Sequence, residues 1–175
     1  MQNLTKKQSS NQQNLIEEQI KTGHNTNKEI ETDPNYIIWL INSYGSFGFT
    51  SSGLYRNKIP TFQLKMTVNK IKFLEQIRNY LGLKNKIYKY HYQDKDKSKR
   101  EPQAILIIRD FKQLKDIIIP FFYKKLTGEK RSQFIKWLEK IGHDPEVSDR
   151  FKSLYRLYKL GAYDTNPQFT EKFKD

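Results

Sequence analysis

A chain of 175 residues with 32 Lys and Arg, 19 Asp and Glu and no cysteine excludes several classes at once. It is long enough for one domain with tails, it has no thiol for a disulfide framework or a thiolate zinc site, and its longest apolar run, YIIWLI from Tyr36, falls far short of the roughly 20 residues of a membrane span, so a soluble protein is expected. The net charge of +13 is uneven: residues 1–35 hold four basic and five acidic side chains, leaving 28 against 14 in the rest. A body that basic, with 14% aromatics, reads as a binder of polyphosphate.

Lysine outnumbers arginine 25 to 7, and Asn, Ile, Tyr and Phe are frequent, the bias of A/T-rich codons. The first residues carry neither the Arg-rich pattern of a transit peptide nor the apolar core of a signal peptide. These features lead to the expectation of a mitochondrial protein, encoded in or resident in the organelle.

Residues 1–14, MQNLTKKQSSNQQN, are too polar to bury apolar surface, and LIEEQIKTG after them forms two helical turns only against a partner. The expected organisation is a polar extension over 1–33, a folded domain over 34–142 and a helical extension over 143–175. Asp33 and Pro34 open a helix as N-cap and first helical residue, and Gly45 ends it. Residues 46–54 are expected as a first strand. PTFQLKMTV follows as a second, with Phe62, Leu64, Met66 and Val68 alternating against Thr61, Gln63, Lys65 and Thr67.

NKIKFLEQIRNYLG places Ile71, Leu74, Ile77 and Leu81 on one helical face and stops at Gly82. KIYKYHYQ reads as a strand with Tyr88, Tyr90 and Tyr92 on one face and Ile87, Lys89 and His91 on the other. After the charged loop DKDKSKREP, QAILII returns as a buried strand. A helix from Asp110 to Ile119 is interrupted by Pro120, RSQFIKWLEKIG is amphipathic, and a last helix is expected from Pro145 to Leu160. Two hairpins with helices over one face define an α+β domain.

The helix ending in Gly-Ser-Phe, the block FQLKMTVNKIKFLEQIRNYLGL, the strand KIYKY and the tail IIPFFYKKLTGEKRSQFIKWLEKI resemble the LAGLIDADG homing endonucleases over about residues 36–142. The resemblance implies an αββαββα fold whose antiparallel strands form a saddle over nucleic acid. It also implies a motif helix that packs against a second copy of itself. The motif falls on IIWLINSYG, which puts Asn42 at the first acidic position and Tyr44 at the second. In the family that second carboxylate holds a divalent cation between the scissile phosphates. Phenols, which ordinarily ionise near pH 10, are poor substitutes. Ile38 and Trp39 stand where the family keeps small residues, although Ser43 remains small, so a monomer is expected rather than a homodimer.

By the same resemblance the binding face remains. Ser46, Thr50, Ser52, Gln63 and Lys65 are expected to reach base edges or phosphates, and Tyr88 and Tyr90, with Lys89 between them, to meet unpaired bases. Lys124, Lys125, Lys130 and Arg131 resemble the family's phosphate-contacting residues. His24, His91 and His143 have no ligand spacing, so no metal site and no cofactor are expected. The function expected is that of a catalytically inactive relative that binds structural RNA, as ribosomal RNA in a mitochondrial ribosome, with ribosomal proteins as possible neighbours and RNA favoured over DNA. A group I intron maturase and an active magnesium-dependent DNA endonuclease are the alternatives.

Overall fold

The computed structural model describes residues 34–52, 57–91 and 101–170. The polar extension, the Asp33 cap, the end of the first strand at 53–54, Tyr92, most of the charged loop and residues 171–175 lie outside the described residues. One compact unit spans Thr32 to Asp175.

Helix α1 (Pro34–Tyr44) buries Ile37, Leu40 and Ile41 and runs directly into β1 (Gly45–Ser52). The junction requires glycine because a Cβ on Gly45 would lie 2.5 Å from the Ile41 carbonyl oxygen and 3.1 Å from the Phe62 ring. Strand β2 (Asn57–Thr67) alternates as its sequence predicts: Phe62, Leu64 and Met66 are buried while Gln63 and Lys65 are exposed. Thr61, expected on the polar face, is buried at 4% exposure, and Val68 leaves the strand for a 3-10 turn over Val68–Lys70. That turn feeds α2 (Ile71–Tyr80), which buries Leu74 and Ile77 and ends where Gly82 takes φ +65.

Strands β3 (Ile87–Tyr90) and β4 (Gln103–Ile108) complete an antiparallel sheet of order β1-β2-β4-β3. Strand β3 is shorter than KIYKYHYQ suggested, because its pairing with β4 ends at Tyr90 opposite Gln103. Strand β4 is not buried on both faces: Ala104, Leu106 and Ile108 enter the core, whereas Gln103, Ile105 and Ile107 alternate onto the other face. Pro60 lies on β2 beyond the last residue paired with β4, so its missing N–H breaks no bond of that ladder.

Pro120 does not stop the helix that follows. Helix α3 (Phe111–Gln113) opens on the Asp110 carboxylate, which accepts from the Gln113 N–H at 2.9 Å, and widens into a π turn over Leu114–Ile118. It then continues as α4 (Ile119–Phe122). The wide turn changes the hydrogen-bond phase just before the proline, where its absent N–H is tolerated.

Helix α5 (Gly128–His143) brings Phe134 and Trp137 onto the sheet. The Phe47 ring sits 5.2 Å from those of Phe62, Phe134 and Trp137 and 5.4 Å from Phe122, ring pairs worth about 0.5–1.5 kcal/mol each beyond their buried area. Helix α5 also closes the free edge of β1: the Trp137 indole N–H donates to the Gly48 carbonyl at 2.8 Å, and Lys130 Nζ to the Gly45 carbonyl at 2.7 Å.

The last helices, α6 (Asp149–Lys159), α7 (Ala162–Thr165) and α8 (Pro167–Thr170), follow a tether. Lys58 forms a parallel bridge with Val147, donates its N–H to the Glu146 carbonyl at 2.9 Å, and places Nζ 2.8 Å from Asp144 and 2.6 Å from Glu146. Because residues 144–147 serve this contact, α6 starts at Asp149 rather than at Pro145. Asp164 accepts hydrogen bonds from the Tyr123 hydroxyl at 2.7 Å and from Lys124 Nζ at 2.5 Å. Its carboxyl is held below the ordinary range by Lys124 first and by Tyr123 second.

Candidate nucleic-acid interface

With helices on one face, the other face of the sheet is read from its register. Ser46 lies opposite Gln63, which lies opposite Ile107; Lys65 lies opposite Ile105 and then Tyr88; Thr67 lies opposite Gln103 and then Tyr90; and Thr50 lies opposite Ile59. Ser46, Thr50, Gln63, Lys65, Tyr88 and Tyr90 therefore share one face. Ser52 is placed at the end of β1, opposite Asn57. Tyr88 and Tyr90 are large aromatics left 44% and 46% exposed. Lys89 lies opposite the buried Ala104, so it stands on the helix side of the edge strand and not beside the tyrosines.

The four basic residues grouped in sequence separate in space. Lys124, at φ 62, is paired with Asp164, and Lys125 Nζ lies 5.7 Å from the centre of the Phe121 ring. Arg131 is exposed on the first turn of α5. Lys130 is drawn instead to the α1–β1 junction, on the carbonyl of the residue after Tyr44. There it joins Lys70, whose Nζ donates to the Tyr44 hydroxyl at 3.4 Å and lies 5.6 Å from the centre of that ring. Tyr36, on the same helix, has its phenol pushed up to about 12 by burial and, second, by Tyr44. Asn42 Oδ1 is closed off from solvent and accepts no hydrogen bond.

This junction does not fit a hard divalent cation. Such an ion requires carboxylate or carbonyl oxygens. Here the Gly45 carbonyl accepts from one ammonium, the Tyr44 phenol accepts from a second, and among the described residues no three His, Cys, Asp or Glu gather as ligands.

At the far end of the open face a hollow of about 650 Å³ is lined by Thr50, Ile59, Tyr88, Tyr90 and Ile107 of the sheet, with Asn85, Lys86, Arg109, Asp110 and Phe151 around it. The sequence reading had not singled out Asn85, Lys86 or Arg109. Arg109 carried a signal, being in phase with Gln103, Ile105 and Ile107. Lys70 carried none, since it leaves the strand in a 3-10 turn.

The LAGLIDADG endonuclease profile matches residues 30–141, well over half of the chain, and the chain belongs to that family. Solved structures share the fold. I-SmaMI bound to an uncleaved DNA target in the presence of calcium ions matches with a TM-score of 0.54 and 22% identity, over 78% of this chain and 47% of that one. I-SmaMI bound to cleaved DNA matches at 0.53 and 23%, over the same shares. I-LtrWI bound to target DNA matches at 0.48 and 25%, over 62% of this chain and 37% of that one. The chain thus spans less than half the length of these structures. No curated protein matches it significantly.

Proposed function

We propose that this LAGLIDADG protein grips nucleic acid without metal-dependent cleavage and that its ligand is a folded RNA. The observation that carries the first part is the charge at the motif: Tyr44 offers a phenol where the resemblance implies a carboxylate, and Lys70 and Lys130 bring two ammonium groups to the position. The grip itself is left in place, with Ser46, Thr50, Gln63 and Lys65 on the open face of a strongly basic body.

The preference for RNA rests on Tyr88 and Tyr90. Two exposed rings beside outward Ile105 and Ile107 offer stacking surface that a fully paired duplex does not use, whereas unpaired RNA bases do. Within that class we favour a structural RNA of an A/T-rich organelle, ribosomal RNA first, over an intron RNA. A monomer is favoured because Trp39, stacked on Tyr36 at 6.2 Å, takes the place of a small residue on the motif helix. Duplex DNA is the second reading, supported by the DNA targets named for I-SmaMI.

The test is to recover the native protein with its bound nucleic acid and sequence what is bound, alongside plasmid nicking with magnesium. Ribosomal RNA and no nicking support the proposal, intron RNA with stimulated splicing points to a maturase, and magnesium-dependent cuts in cognate duplex DNA overturn it.

A further inference from the structure

We infer that the hollow at the end of the open face receives one unpaired nucleotide, its base among the sheet residues and its phosphate on Arg109 and Lys86. The inference deepens the RNA-binding reading and rests on it. A volume of about 650 Å³ lies within the roughly 300–1,000 Å³ of pockets that hold small ligands, well beyond what a flat groove for a duplex requires.

Its surfaces match the three parts of a nucleotide. Ile59 and Ile107 supply an apolar floor and Tyr88 and Tyr90 supply rings for a base to lie against. Asn85 holds its amide group on the Ile107 carbonyl at 3.0 Å, which leaves Oδ1 without a donor, and Thr50 Oγ1 is also without a partner. Both oxygens are closed off from solvent, so these two side chains shape the wall of the hollow. At the rim, Lys86 Nζ stands 6.0 Å from the centre of the Tyr88 ring and Arg109 is exposed. Lys86 and Arg109 outnumber the single Asp110 carboxylate, which caps α3, so the rim is net positive.

One wall lies outside the residues that the family profile matches. Phe151 belongs to α6, after the profile match over residues 30–141, and its ring is held 5.8 Å from Phe111. The C-terminal helices therefore add a side wall to an open sheet end.

The test uses the full chain and RNA duplexes that differ by a single bulged 2-aminopurine, read by fluorescence and by competition. The bulged RNA binds about tenfold tighter than the fully paired one, and its 2-aminopurine emission is quenched. Lys86→Ala and Arg109→Ala each bring that ratio towards one, while Arg131→Ala lowers both affinities together. If RNA binds but the ratio is one and emission is unchanged, the hollow is not a nucleotide site and the RNA-binding reading stands. If no RNA binds, both fall. Should a variant fail to fold, quenching by the unmodified chain still decides.

Discussion

Tyr44→Asp puts a carboxylate at the position that, on the proposal above, has lost one, and the surroundings of Tyr44 set how far that can go. A divalent cation about 5 Å from an ammonium is repelled by roughly 7 kcal/mol at an effective dielectric of 20, and by about 1.7 kcal/mol with full water screening. Lys70 and Lys130 double that repulsion, and a single carboxylate bound at about 2.5 Å offsets an amount of the same size, which leaves nothing to repay the dehydration of the ion. We predict that the unmodified chain shows no saturable Mn²⁺ binding by titration calorimetry and no Mg²⁺-dependent nicking of supercoiled plasmid. Tyr44→Asp alone gains at most weak binding without nicking. Adding Lys70→Gln tightens Mn²⁺ by at least about tenfold over Tyr44→Asp, since removing even the screened repulsion is worth more than the 1.4 kcal/mol of a tenfold change. One tightly held Mn²⁺ per unmodified chain, or a clean double-strand break made by it, would refute the reasoning.

Further expectations concern stability. A Cβ on Gly142 would fall 2.2 Å from the Tyr155 ring, so Gly142→Ala costs about 1–3 kcal/mol, a fall in Tm of roughly 2–12 °C, and Tyr155→Ala in the same chain recovers part of it; an unchanged melting curve would contradict the α5–α6 contact. Trp137→Phe removes the donor to the Gly48 carbonyl and lowers stability by about 1 kcal/mol in urea titrations, with packing nearly kept. Lys124 and Tyr123 depress the Asp164 carboxyl, so their support is present above the ordinary carboxylate range near pH 4 and fades as pH falls through the lower folded value; Asp164→Asn lowers Tm at neutral pH, and the two curves converge as the carboxyl takes up its proton in acid. At the alkaline end the sign reverses: Tyr36 and Tyr123 are pushed up to about 12, so the stability they contribute holds below pH 10 and is lost between there and pH 12, which an absorbance titration of phenolate reads directly.

Alternation and helical spacing were legible residue by residue. Phe62, Leu64 and Met66 in β2 and Leu74 and Ile77 in α2 enter the core as their periods require, and Gly82 ends its helix at a positive φ as a glycine stop should. The errors came where a local rule met a tertiary contact. Pro120 is carried by a π turn that no propensity announces, and the expected helix at Pro145 gives way to the tether between Lys58 and residues 144–147. Lys124, Lys125, Lys130 and Arg131 formed one patch on paper, but the positive φ of Lys124 and the start of α5 send Lys130 to the motif helix and Lys124 to Asp164.

The sequence alone determined the family and the order of elements, because these depend on side-chain type and spacing along the chain. Only the tertiary structure decided that Lys70 and Lys130 stand at Tyr44, and that Thr50, Asn85, Arg109 and Phe151 line one hollow. Those residues come from separate elements, and sheet register and helix docking, which no local periodicity encodes, bring them together.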